Sequence, residues 1–176
     1  WMATLPVMGY VVGGALSTGI VARSQQRFGR KVSFLLGLLV ALISAGIGAW
    51  AVLHSSFLLF VVATVVAGYY SANGQLYRFA AAELCAPDYR EKAVSLVMAG
   101  GLMGAIIGPN LAMHTKNWLG LPFAGAYVAL AGIALLSMAV MSYIEFPPVA
   151  PKKASDQTGR PLNEIMRQPV FFIATL

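Results

Sequence analysis

Apolar residues fill this chain in long runs, and charged residues interrupt the runs at a few short places. Residues 1–22 carry no charge, the nine residues from Arg23 to Lys31 carry four bases and no acid, and residues 32–77 are again free of charge. A hydrocarbon layer about 30 Å thick selects such runs, because roughly 20 helical residues are needed to cross it. The pattern predicts five membrane-crossing helices, over residues 4–22, 32–53, 57–77, 93–113 and 122–144. The second charge-free run is long enough for two crossings, so His54-Ser55-Ser56 is read as a tight turn between them. Asp88 and Glu91 have the D-x-x-E spacing of a capping box at the start of the fourth helix. His114 to Leu121 form another short loop, and Pro122 is placed in the first turn of the fifth helix.

After residue 144 the pattern changes. Residues 145–159 turn to Pro, Lys, Ser and Asp and read as a flexible linker. Leu162, Ile165, Met166 and Pro169 then fall at i, i+3, i+4 and i+7, which predicts a short amphipathic helix on the membrane surface, opened by Pro161. A disordered linker is the alternative. Val170 begins a further apolar run. The expected organisation is therefore a transmembrane bundle over 1–144, a cytoplasmic linker over 145–169, and the start of a further crossing over 170–176.

Composition agrees with this class. The chain is 59% hydrophobic and 10% charged, where a soluble domain carries about 25% charged residues. The net charge of +6 and pI near 9.7 would suggest nucleic acid in a soluble protein. Here the bases lie in loops between spans, and alternate loops differ sharply. Eleven of the twelve fall on one side, from Arg23 through Arg78, Arg90 and Lys92 to Arg167, and Lys116 alone falls on the other. Under the positive-inside rule the basic side is cytoplasmic and the N-terminus is outside. The expected location is the cytoplasmic (inner) membrane, and no nucleic-acid partner is called for. The charge follows the first apolar run instead of preceding it, so that run is no signal peptide. Both ends read as truncated, with a crossing expected before residue 1. The single cysteine, Cys85, excludes an internal disulfide.

Three patterns have functional weight. Gly100, Gly104 and Gly108 lie four apart, share one face of the fourth helix, and are followed by Pro109. Gly9 and Gly13 repeat the spacing in the first helix. Smooth glycine faces let a neighbouring backbone approach closely. They serve either static packing within one bundle or a surface where two bundles move against each other. The inner half of the third helix is polar: Tyr70, Asn73, Tyr77 and Arg78, with Ser71, Gly74 and Gln75, cover one broad arc. Polar groups facing lipid are costly, so the arc is expected to line a cavity or meet protein. Arg78 also suits snorkelling to the interface, and Glu83 is placed to pair with it or with a loop arginine. No Ser-His-acid set, metal-ligand cluster or phosphate loop is present in the sequence. That points away from an enzyme, and no cofactor is expected.

The stretch Ala22-Arg23-Ser24-Gln25-Gln26-Arg27-Phe28-Gly29-Arg30-Lys31 resembles the signature between the second and third helices of the major facilitator superfamily. Arg27, Gly29, Arg30 and Lys31 match it, Ala22 stands where Gly is usual, and Gln26 stands where an acid is usual. Gly104-Ala105-Ile106-Ile107-Gly108-Pro109 is similar to the core of that family's fifth-helix motif. Pro87, Arg90 and Ala93 fall as in its loop between helices four and five. The resemblance covers the whole chain, with the five spans standing as helices two to six. It implies an all-α membrane protein with five complete spans plus an amphipathic linker helix. It also implies a secondary transporter that moves a small solute by alternating access, with Gln26, Arg27, Gly29, Arg30 and Lys31 as a gating loop. The implied partners are a small-molecule substrate, a coupling ion, membrane lipid and the second half of the same transporter. A non-transporting membrane scaffold using the same bundle is the alternative.

Overall fold

A computed structural model gives the fold for residues 2–118, 120 and 122–146, which form helices and turns with no strand among them. The linker, the amphipathic helix and the further crossing expected after residue 146 lie outside the described residues. Four helical stretches are long and apolar enough to cross a membrane: Leu5–Leu53, Phe57–Leu84, Pro87–Thr115 and Ala124–Tyr143.

The first of these, α1 (Leu5–Leu53), would be about 73 Å long if straight, more than twice the hydrocarbon thickness. It is not straight, because Gly29 sits at φ 83°, ψ 169°. Contacts with α2 (Phe57–Gly74) give the direction of its two arms. In residues 5–28, Gly9 lies beside Thr64 and Gly14 beside Gly68, so this arm runs parallel to α2. In residues 30–53, Ser33 meets Asn73 and Ser44 meets Ala63, so this arm runs antiparallel. The chain therefore reverses at Gly29. The nine-residue loop expected from the charge pattern is thus corrected to a single-residue break in an otherwise helical stretch. Arg and Gln are good helix formers, and only Gly29 adopts the positive φ that side chains resist.

The arms and α2 approach closely because small residues meet small residues. A Cβ on Gly13 would strike the backbone of Val65, and one on Gly68 would strike the backbone of Gly13 and Gly14. At such points backbone packing replaces the side-chain interdigitation of a soluble core. Phe34, Val21 and Leu38 fill the interior. Leu16, Leu58, Leu96 and Leu136 point outward, where a hydrocarbon solvent would favour them.

The turn at His54-Ser55-Ser56 is as expected, with Ser55 at φ 50° and Ser56 N donating to Ala51 O at 2.9 Å. The third helix is not continuous. It breaks after Gly74 and resumes as α3 (Tyr77–Leu84), across a tightened turn in which Leu76 N donates to Asn73 O at 2.9 Å. The capping box is also corrected. Asp88 is taken up in a short 3₁₀ turn, Pro87–Tyr89, so the N-cap of α4 (Arg90–Thr115) is Tyr89, with no side-chain cap bond. Pro122 falls before α5 (Ala124–Tyr143), whose N-cap is Phe123 at φ 68°.

Following the chain, the Gly29 reversal, the end of α3, the start of α4 and the end of α5 share one end of the bundle. The Ser55 turn and the α4–α5 turn share the other. Among the described residues Arg23, Arg27, Arg30, Lys31, Arg78, Arg90 and Lys92 belong to the first end and Lys116 to the second.

Candidate functional site

At the basic end the reversal is tied to two other helices. Arg30 Nη2 donates to Glu83 Oε1 at the end of α3, so the loop arginine, and not Arg78, takes the acid. Lys31 Nζ donates to the backbone oxygen of Ser142 at 2.7 Å. That carbonyl is in the last turn of α5, where unpaired oxygens and the helix dipole favour a cation. The two consecutive bases thus anchor the turn to α3 and α5. Arg27 packs its guanidinium over Phe28, 5.4 Å from the ring centre, and Gln26 is exposed. Ser24 Oγ, Gln25 Nε2 and Arg78 Nε are buried with no hydrogen-bond partner among the described residues.

The polar arc divides at the break between α2 and α3. Asn73 is wholly buried and turned toward α1: Ser33 Oγ donates to its Oδ1 at 3.3 Å, and its Nδ2 donates to Tyr69 O at 3.3 Å. A Cβ on Gly37 would come within 3.0 Å of the Asn73 side chain, so Gly37 makes room for this amide. Arg78 lays its guanidinium over the Phe79 ring at 4.9 Å. Tyr70 and Tyr77, by contrast, line a cavity of about 470 Å³ whose walls come from the second arm of α1, the end of α2, α3, α4 and α5. The structure thus brings two of the four arc residues to a cavity wall, puts Asn73 into helix packing, and leaves Arg78 on its neighbouring ring.

The two glycine faces have different environments. Gly9 and Gly13 are buried against α2, where an added Cβ would meet Thr64 and the Val65 backbone. Their face packs inside the bundle, the first of the two alternatives for a glycine face. At Gly100, Gly104 and Gly108 an added Cβ would meet nothing within 4 Å. Pro109 follows inside the helix and removes one backbone donor, while Asn110 Nδ2 donates to Ile106 O at 2.8 Å.

Sequence reasoning missed several contact residues. Gly48 abuts the Tyr127 ring and Gly125 abuts the Thr115 carbonyl. Each has a small residue four positions away, Ser44 for Gly48 and Ala129 for Gly125, a spacing too common in this chain to single them out. Ser33 with Asn73 was discoverable in principle, as polar residues inside two adjacent apolar runs.

Comparison with known proteins accounts for this arrangement. A family profile described as Major Facilitator Superfamily matches residues 1–176. The riboflavin transporter RfnT of Brucella anthropi is 38% identical over 175 residues, covering 98% of this chain and 44% of the relative. Two uncharacterized MFS-type transporters of Bacillus subtilis, YddS and YdeG, are each 30% identical, over 146 and 150 residues, covering 77% and 83% of this chain and 33% and 35% of the relatives. The chain spans less than half the length of these relatives. With its all-helical bundle, its glycine-broken basic turn and a match along its whole length, the chain belongs to the Major Facilitator Superfamily.

Proposed function

We propose that the protein is a secondary transporter carrying a small solute across the cytoplasmic membrane by alternating access. In this reading the arms of α1, α2 with α3, α4 and α5 make five crossings, and the basic end is cytoplasmic. Family membership supplies the general frame. The observation that carries the reading is the bare glycine face of α4. An added Cβ at Gly100, Gly104 or Gly108 would meet nothing within 4 Å, with Gly108 bordering an open pocket beside α5, and a smooth face of this kind suits close approach by a second bundle. The second half of the same transporter is the proposed occupant. Arg30, Lys31 and Glu83 then hold the cytoplasmic ends of three helices together while the two halves rock. The exposed Gln26 leaves the loop without the charge that an acid would offer the second half.

The relative at 38% identity makes riboflavin the first solute to test. The full-length protein, reconstituted into proteoliposomes, is expected to move labelled riboflavin down a gradient and to accumulate it when a proton or sodium gradient is imposed. Flux equal to that of empty liposomes for riboflavin and for a broad panel of small solutes, under every gradient, would refute transport.

A further inference from the structure

Two cavities share a wall inside the bundle. The larger, about 470 Å³, is lined by Tyr70, Tyr77, Ser137 and Phe146 among apolar neighbours. The smaller, about 220 Å³, is lined by Tyr10 and Ser44 among others, with Leu38, Tyr70 and Ser137 common to both. The larger is of the size that takes a drug-sized ligand. Neither wall contains a charged residue. Arg78, next to Tyr77 in sequence, is not in the wall and stacks on Phe79 instead.

The polar side chains among the lining residues all carry hydroxyls. Ser44 is committed, donating to Ala63 O at 2.8 Å. Those of Tyr10, Tyr70, Tyr77 and Ser137 have no hydrogen-bond partner among the described residues. The aromatic faces are held from behind. Phe34, wholly buried, packs on Tyr77 with ring centres 4.6 Å apart and on Phe146 at 5.8 Å. Rings fixed this way offer flat surface at little cost in side-chain entropy, and their π faces favour stacking.

From these features we infer that the larger cavity binds an uncharged, planar heteroaromatic solute, its rings against Tyr77 and Phe146 and its polar edge on the hydroxyls of Tyr70, Tyr77 and Ser137. A charged solute would be desolvated there without a counter-charge, which is costly. A flat ring with carbonyl and ring-nitrogen acceptors would satisfy hydroxyls that the protein leaves unpaired. The inference rests on the transport reading for its biological meaning, but binding and flux are separate measurements.

The test uses the full-length protein in lipid nanodiscs and follows quenching of flavin fluorescence. The probes are riboflavin, lumichrome (the bare uncharged ring system) and flavin mononucleotide, which adds an anionic phosphate. Riboflavin and lumichrome are expected to bind within about tenfold of each other, and flavin mononucleotide roughly a hundredfold more weakly. The Tyr70→Phe and Tyr77→Phe variants keep the rings and are expected to weaken riboflavin by about tenfold each, the scale of one hydrogen bond. Tyr77→Leu should weaken lumichrome as well. Equal affinity for the phosphorylated and free flavins, absence of binding by either uncharged ring, or unchanged affinity in a folded Tyr70→Phe/Tyr77→Phe double variant would each overturn the inference. The ligand comparison is made on the unaltered protein, so it stands even where a variant fails to fold. Binding as expected with no flux in proteoliposomes would sink the transport reading and leave the binding site intact.

Discussion

Gly29 is the residue on which the basic turn depends. Its φ of 83° lies where an L side chain is strained, and a β-branched residue there costs about 1–3 kcal/mol. Gly29→Val is therefore expected to cut the transport rate of the full-length protein at least about tenfold relative to its expression level. Lys31→Arg keeps a cation beside the Ser142 carbonyl and should retain most activity. Equal rates in the two variants would show that the strain is absorbed elsewhere. Asn73 makes a different kind of prediction. Its amide occupies the space beside Gly37 and accepts from Ser33, so Asn73→Ala leaves a void and a buried hydroxyl unpaired. The expected loss of stability is about 1–3 kcal/mol, to be read as a fall of several degrees in the unfolding temperature in detergent. No change in that temperature would mean that water or lipid takes the place of the amide.

Helices with the same glycine spacing carry opposite burdens. Gly13 lies under the Val65 backbone, whereas Gly104 and Gly108 meet nothing. Leucine at Gly13 should push the first arm off α2, and the full-length protein should express poorly or aggregate in detergent. Leucine at Gly104 or Gly108 should leave expression near normal and abolish most transport, since the added bulk interferes only where a second bundle comes close. Gly101→Ala, on a different face of the same turn of α4, should behave as unaltered protein. Poor expression of both α4 leucine variants would place that face inside a folded bundle. Full transport in both would remove it from the mechanism.

For the molecule as a whole the testable quantity is orientation. Basic residues gather at one end of the bundle, and Cys85, the only thiol in the sequence, lies at the end of α3 beside them. The thiol is partly exposed. An impermeant maleimide added to intact cells should leave it unlabelled, and the same reagent should label it once the cells are opened. Labelling from outside would reverse the topology, and with it the assignment of Arg30, Lys31 and Glu83 to the cytoplasmic face.

Much of this was legible in the chain before its fold was known, and the boundary follows from physics. The apolar helical stretches and the basic end depend on how each segment is solvated by itself. A run such as 32–77 declares its own environment, and Gly29 marks its turn, whereas the positive φ of Ser55 and Phe123 has no glycine to announce it. Helix pairing is not of that kind. Gly13 and Gly104 sit in similar spacings, and only the placement of α2 distinguishes a covered glycine from a bare one. Tyr70 and Asn73 are three residues apart on one polar arc, yet one faces a cavity and the other is locked against Ser33. The break at Gln75–Leu76 and the choice of Arg30 over Arg78 as the partner of Glu83 belong to the same class. The sequence by itself determined that the chain is built of long apolar helices and which end carries the charge, because those are properties of a helix in its solvent. Only the tertiary structure decided which faces meet, because that depends on the neighbour each helix finds.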